Sequence, residues 1–172
     1  DSVPAMVVNG ARAVVAGPNG TRVLDVAEVV TGPGETSLDA DEFIVEFEID
    51  RMPARTGDAY LRMIPRTEMD IAVVGAGARI TLAEDGSIEQ AALALGAVAP
   101  TVVRVPDAET ALVGNTADDE TLSAVANAAS EACNPIDDKR GTVAYRKQVA
   151  GVLAKRAVLI AIERAEQRNG TN

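Results

Sequence analysis

Apolar positions along this chain change period part-way, from the alternation of strands to the three-and-four spacing of helices. The segment 42–49 alternates acidic and apolar side chains from Val45 onward, the period of a strand with one face in the core; Glu42, Glu46 and Glu48 then share its solvated face. Upstream, residues 11–16 and 22–26 flank Gly17-Pro18-Asn19-Gly20, and two apolar runs around so turn-rich a tetrapeptide predict a hairpin. Residues 4–8 make one or two helical turns that stop at Asn9-Gly10, and Gly32-Pro33-Gly34 breaks the chain. Residues 51–58 carry Pro53 and Gly57 without periodicity, so a subdomain boundary is placed there. Beyond it, 60–64, 71–82 and 88–95 predict three strands of an antiparallel meander, with Asp85-Gly86 turning between the last two.

Helices take over after Pro106, which opens a short one running to Leu112 and ending at Gly114-Asn115. Thr116 and Asp119 supply a capping pair for the next, whose Leu122, Val125, Ala129 and Ala132 share a face before Pro135. Thr142 caps a last helix reaching Glu166, in which Tyr145, Val149, Val152, Leu153 and Ile160 recur at helical spacing. Strands followed by helices give an α+β fold, an antiparallel sheet packed by helices, and not an alternating α/β order.

Composition narrows the chemistry. Aromatic residues are 2% and Trp is absent, so the core is built from aliphatic side chains and no base-stacking surface exists. With 16 basic against 26 acidic residues the net charge of -10 repels nucleic-acid phosphates and anionic lipid. Histidine is missing, which removes the commonest general base and excludes every Ser-His or Cys-His mechanism within the chain. The single cysteine, Cys133, can form no internal disulfide, and the expected compartment is the reducing cytoplasm. Charges interrupt the apolar runs and no leader pattern opens the sequence, so neither a membrane span nor a signal peptide is expected.

Four features invite a functional reading. Gly75-Ala76-Gly77 follows a strand like a dinucleotide fingerprint, but Ile80 stands where the third glycine belongs, so a closely packed strand is the better reading. Cys133 lies on the apolar face of a helix and is a core residue, with no histidine to activate it. Asp118-Asp119-Glu120 suits the positive end of a helix dipole and needs no metal. The stretch 62–70 places Arg62, Arg66, Thr67, Glu68 and Asp70 in a turn between strands, able to present donors to a ligand or to form a salt-bridged loop; chemistry alone favours the salt-bridged loop.

That stretch and its neighbours resemble the FAD-binding (medium) subunit of the molybdenum hydroxylases, the group of aerobic carbon monoxide dehydrogenase and xanthine dehydrogenase. The resemblance is carried by Arg66-Thr67-Glu68-Met69-Asp70-Ile71-Ala72, Leu95-Gly96-Ala97-Val98-Ala99-Pro100-Thr101 and Ala108-Glu109-Thr110-Ala111-Leu112. Asp138-Lys139-Arg140-Gly141-Thr142 through Arg146, and Val152-Leu153-Ala154-Lys155-Arg156-Ala157, continue it in order, while Pro4-Ala5-Met6-Val7-Val8 resembles the helix after the family's second flavin loop. The two glycine-rich loops that hold the FAD pyrophosphate in such proteins have no counterpart in this sequence.

The resemblance implies residues 1–52 as the tail of a FAD-binding domain and 53–172 as a flavoprotein C-terminal domain. It implies FAD as cofactor, with Asp1 contacting it, Ile44 packing by the flavin ring and Arg62 near the ring; Arg66 is a weaker candidate. It implies partners as well: a large subunit carrying molybdenum-pterin, a small subunit carrying iron-sulfur clusters, and the upstream FAD-binding segment. The chain would then be part of an oxidoreductase, positioning FAD to pass electrons to a terminal acceptor, inactive by itself and needing no acid or base. The competing expectation is a non-catalytic α+β interaction module that binds no cofactor; a free-standing hydrolase lacks any pair of nucleophile and base.

Overall fold

Residues 1–66 and 70–168 are described by a computed structural model. The first helix, α1 (Val3–Val8), opens on Pro4 and ends where Asn9 and left-handed Gly10 (φ 64°) release the chain into a hairpin. Strands β1 (Arg12–Gly17) and β2 (Gly20–Asp25) pair antiparallel around Pro18-Asn19, with Gly20 taking the positive φ the turn demands. A short helix α2 (Val26–Val29) leads to a small hairpin of β3 (Val30–Gly32) and β4 (Glu35–Thr36), so Gly32-Pro33-Gly34 turns the chain instead of only breaking it. Strand β5 (Phe43–Glu48) returns to the far side of β1, giving a sheet of order β2-β1-β5.

The second sheet is the antiparallel meander, β6 (Thr56–Met63), β7 (Val74–Leu82), β8 (Ile88–Gly96) and the short β9 (Val103–Arg104). Helices α3 (Pro106–Leu112), α4 (Asp119–Glu131) and α5 (Val143–Gln167) follow, so the α+β order holds. Helix α5 lies along β6 and β7, α4 packs on α5, and α3 fits between α4 and β8. On β7 the even positions Val74, Ala76, Ala78 and Ile80 enter the core beneath α5. Gly75 and Gly77 instead meet Tyr60 and α1: a Cβ at Gly77 would stand 2.8 Å from the Pro4 carbonyl oxygen. The glycine pair is the packed strand expected from its missing third glycine, and it seats the helix that Asp1 precedes.

Four expectations need correction. Strand β5 has a bulge: Val14 faces Glu46 but Val15 faces Ile44, so Val45 has no partner and the two-residue phase slips. The register still sets Phe47 opposite buried Ala13, on the face of Ile44, but β5 is the edge strand of its sheet, and Val45 and Phe47, together with Ile49 just past the strand, are 49%, 50% and 56% exposed, not core. Glu42 leaves the acidic face altogether, because it precedes the strand and is held by Arg22 through Nε and Nη2 at 2.8 and 2.7 Å. Asp118 caps α4 in place of Thr116, accepting from the Thr121 amide at 2.8 Å. On α5 Leu153 enters the core and Val149 and Ile160 pack against it as expected, but Tyr145 and Val152 turn outward, and Val158 with an alanine stripe, Ala150, Ala154, Ala157, Ala161 and Ala165, completes the packing face. Thr142 does cap α5, accepting from the Tyr145 amide at 3.2 Å. No helix among the described residues is long and apolar enough to cross a membrane.

Candidate functional site

A cleft of about 350 Å³ opens between the start of α1, Val30 of the small hairpin, the β6 residue Tyr60, Ile71-Ala72 and the loop 96–102. Each wall is placed by backbone economy. Gly75 has no side chain, and a Cβ there would stand 2.7 Å from the Tyr60 oxygen, so the phenol lies over β7; Gly96 likewise leaves room for the Pro4 ring. Ala97 adopts φ 62°, the left-handed turn that swings the loop across the cleft, and its carbonyl accepts from Arg146 Nη1 at 3.3 Å. A hollow of about 390 Å³ adjoins, sharing Ile71, Ala72, Ala97, Ala99 and Pro100.

Asp1 is the one charged side chain among the cleft's described lining residues. Its carboxylate accepts from the Ala72 amide at 3.0 Å and from Arg62 Nη1. The structure thus joins two of the sequence candidates in one ion pair at the rim. Arg62 is part of β6, not of the following turn, because that strand runs to Met63. Ile44 is elsewhere: it packs against the cluster of α1, β1 and α2 formed by Val7, Val8, Ala13, Val26 and Val29. Arg66 points to Asp70, which also meets Arg140, so the described part of the 62–70 stretch is salt-bridged. Thr67, Glu68 and Met69 lie outside the described residues.

Tyr60 is the residue that sequence reasoning missed. Its hydroxyl is buried and has no hydrogen-bond partner among the described residues, and burial pushes the phenol pKa up, opposed only by nearby Arg62. Only two tyrosines occur in the chain, so Tyr60 was open to notice, but an orphaned hydroxyl is a property of packing and not of sequence. Cys133 is the core residue expected; burial pushes its thiol up to about 11, which rules out a reactive thiolate at neutral pH.

Chemically the cleft suits a flat, uncharged ring system. Its walls are aliphatic and aromatic, and the buried phenol offers one hydrogen bond. No lysine or arginine is among its described lining residues, so it does not suit the phosphates of a dinucleotide. Residues 59–161 match the family model described as the CO dehydrogenase flavoprotein C-terminal domain. The chain belongs to that family. Within it, the chain is 27% identical over 166 residues to a putative xanthine dehydrogenase FAD-binding subunit of Escherichia coli strain K12, covering 96% of this chain and 56% of that one. It is 32% identical over 149 residues to the carbon monoxide dehydrogenase medium chain of Hydrogenophaga pseudoflava, covering 86% of this chain and 51% of that one.

Solved structures of the family agree. Carbon monoxide dehydrogenase from Hydrogenophaga pseudoflava superimposes with a TM-score of 0.89 at 33% identity over 95% of this chain and 56% of that chain. Quinoline 2-oxidoreductase from Pseudomonas putida 86 does so with 0.85 at 27% identity, over 98% and 57%. The chain spans about half the length of the curated relatives it matches. The flavoprotein family and the α+β fold expected from the resemblance are therefore those of this chain.

Proposed function

We propose that this chain is the part of a molybdenum-hydroxylase flavin subunit that holds the isoalloxazine ring of FAD at the cleft of Asp1, Tyr60, Ile71 and the 96–102 loop. The observation that carries the reading is the buried, unpartnered Tyr60 hydroxyl in an apolar cleft whose rim is fixed by the Asp1–Arg62 pair. A buried hydroxyl without a partner costs about 1–3 kcal/mol, a deficit a ring heteroatom or carbonyl would offset. Bound FAD would supply the electron relay between a reduced partner centre and an acceptor; the redox chemistry is the cofactor's. The chain's own share is to orient the ring, exclude water with Ile71 and Pro100, and set the local field through Asp1 and Arg62.

In this reading the phosphates are held elsewhere, because no lysine or arginine is among the cleft's described lining residues and the sequence holds no glycine-rich phosphate loop. Edge strand β5 supports this division. Phe43, at 62% exposure, with Val45 and Phe47, forms an apolar border beside an unpaired strand edge, a surface suited to the rest of a FAD-binding domain, with Ile44 close behind it. In this reading a large subunit with molybdenum-pterin and a small subunit with iron-sulfur clusters complete the complex, in the cytoplasm, where a lone buried thiol survives.

The full-length subunit, purified with its upstream segment, decides the matter. It is expected to carry FAD in equimolar amount by its visible absorbance, and Tyr60→Phe is expected to shift the flavin spectrum and midpoint potential while leaving thermal stability within about 1 kcal/mol. A colourless full-length protein that rejects added FAD would instead establish the cofactor-free interaction module.

A further inference from the structure

The outward face of α5 carries side chains that the core does not use. Val152 and Leu159, each 42% exposed, stand in line with Gln148 and Arg156 on one stripe of the helix. The stripe forms a ridge between two hollows. One, of about 630 Å³, lies over the α4–α5 seam and is lined by Lys147, Lys155 and Arg156 beside Asn127 and Ser130. The other, of about 510 Å³, runs from Arg156 and Leu159 across Leu61 and Met63 to Arg62. The seam is tight beneath the first hollow: a Cβ on Gly151 would stand 2.7 Å from the Ala126 carbonyl oxygen, so the helices present a rigid platform.

Charge is what sets this face apart. The chain carries a net -10, yet neither hollow has a carboxylate among its described lining residues. Most cations elsewhere are engaged: Arg12, Arg22, Arg66, Arg104 and Arg146 each meet an acid. Lys147, Lys155 and Arg156 take part in none of the described ion pairs or side-chain hydrogen bonds. A cationic ring around exposed Val and Leu is complementary to a protein surface with carboxylates around an apolar centre. The second hollow also ends at Arg62, whose guanidinium bonds the Asp1 of the cleft, so an occupant of the ridge reaches the rim of the ring site.

We propose that the α5 ridge docks an acidic surface of a partner polypeptide of the same complex, with Lys147, Lys155 and Arg156 meeting its carboxylates and Val152 and Leu159 entering its apolar centre. The proposal rests on the multi-subunit reading above. It is tested with the full-length flavin subunit titrated against its purified partner subunits, comparing wild type with the double variant Lys155→Glu/Arg156→Glu and with Leu159→Asn. The charge reversal is expected to weaken binding at least tenfold at low salt and to approach wild type near 0.5 M salt, where screening is close to complete within about 4 Å. Leu159→Asn is expected to weaken it several-fold at both salt concentrations. Flavin content and melting temperature, unchanged in both variants, show that the ring site and fold are intact. Wild-type affinity in the double variant, salt-independent binding, or equal retention by anionic vesicles or duplex DNA would overturn the proposal. A wild-type subunit that holds no flavin would defeat the functional reading itself, a result separable from the binding curves.

Discussion

Arg146 is a buried charge, with 4% exposure and a guanidinium bonded to the Val73 carbonyl at 2.6 Å, the Ala97 carbonyl at 3.3 Å and Asp138 at 2.7 Å. It ties the start of β7 to the left-handed turn at Ala97, and so to the wall of the cleft. Arg146→Ala strands two inward-facing carbonyls, so an unfolding titration in urea should register a loss of about 3 kcal/mol. Arg146→Lys should recover only part of it, since an ammonium cannot span three acceptors in one plane. Glu42 gives the acid side of the stability curve. Arg22 first, and the Asp39 amide second, hold its carboxyl down at about 2 against an ordinary 4.5. A folded value below the unfolded one means stability present above pH 4.5 and lost as pH falls toward 2. Glu42→Gln should flatten that limb between those two values and leave the rest of the profile parallel; an unchanged slope in urea melts across the window would refute the assignment. Of the candidate residues named through resemblance, Asp1, Ile44 and Arg62, the first and last meet at the cleft rim. Arg146 and Tyr60 matter because of which buried atoms they reach or fail to reach, and that requires the packed structure.

At the scale of elements, periodicity was legible wherever a neighbour enforced it. The ends of α1 and α3 fall where Asn9-Gly10 and Gly114 place them, since each glycine takes a positive φ that other residues resist. The exposure of β5 was not legible, because its bulge and its place at the sheet edge are decided by the partner strand and leave no mark on the alternation of Val45, Phe47 and Ile49. The stripe of α5 misled for another reason. Tyr145 and Val152 look like part of the buried face, but where the helix crosses β6 most of its core positions are alanines, with Leu153 and Val158 the larger side chains that enter beside them. Gly57 shows how close the helix lies: a Cβ there would be 2.2 Å from the Ala161 carbonyl oxygen and 2.5 Å from the Ala165 amide nitrogen. Backbone on both sides leaves no flexible atom to move, so Gly57→Ala should cost about 3 kcal/mol or more by lifting α5 off the sheet. The urea midpoint measures this directly. A variant as stable as wild type would mean the helix can shift at no cost.

Across the whole molecule, the two cores are unequal. The larger one draws only on residues 59–165, spanning β6 to α5, whereas the smaller one gathers α1, β1 and α2 and borrows Ala94 from β8. Helix α1 is also seated on Gly77 and Gly96 of the second sheet. We therefore expect the division at 52/53 to be asymmetric. A fragment of residues 53–172 should melt cooperatively by far-ultraviolet circular dichroism, since its core is intact. A fragment of residues 1–52 should stay unfolded, because its few buried valines cannot outweigh an ordering cost of about 1–2 kcal/mol per residue. The cleft belongs to neither half alone: Asp1, Pro4 and Val30 come from one side and Tyr60, Gly96 and Val102 from the other. The 53–172 fragment should accordingly leave the absorbance and fluorescence of added FAD unperturbed while remaining folded. If that fragment instead melts gradually, the larger core depends on α1 and the boundary is wrong; if it folds and still perturbs FAD, the ring site lies wholly within the second half and Asp1 has no part in holding the flavin.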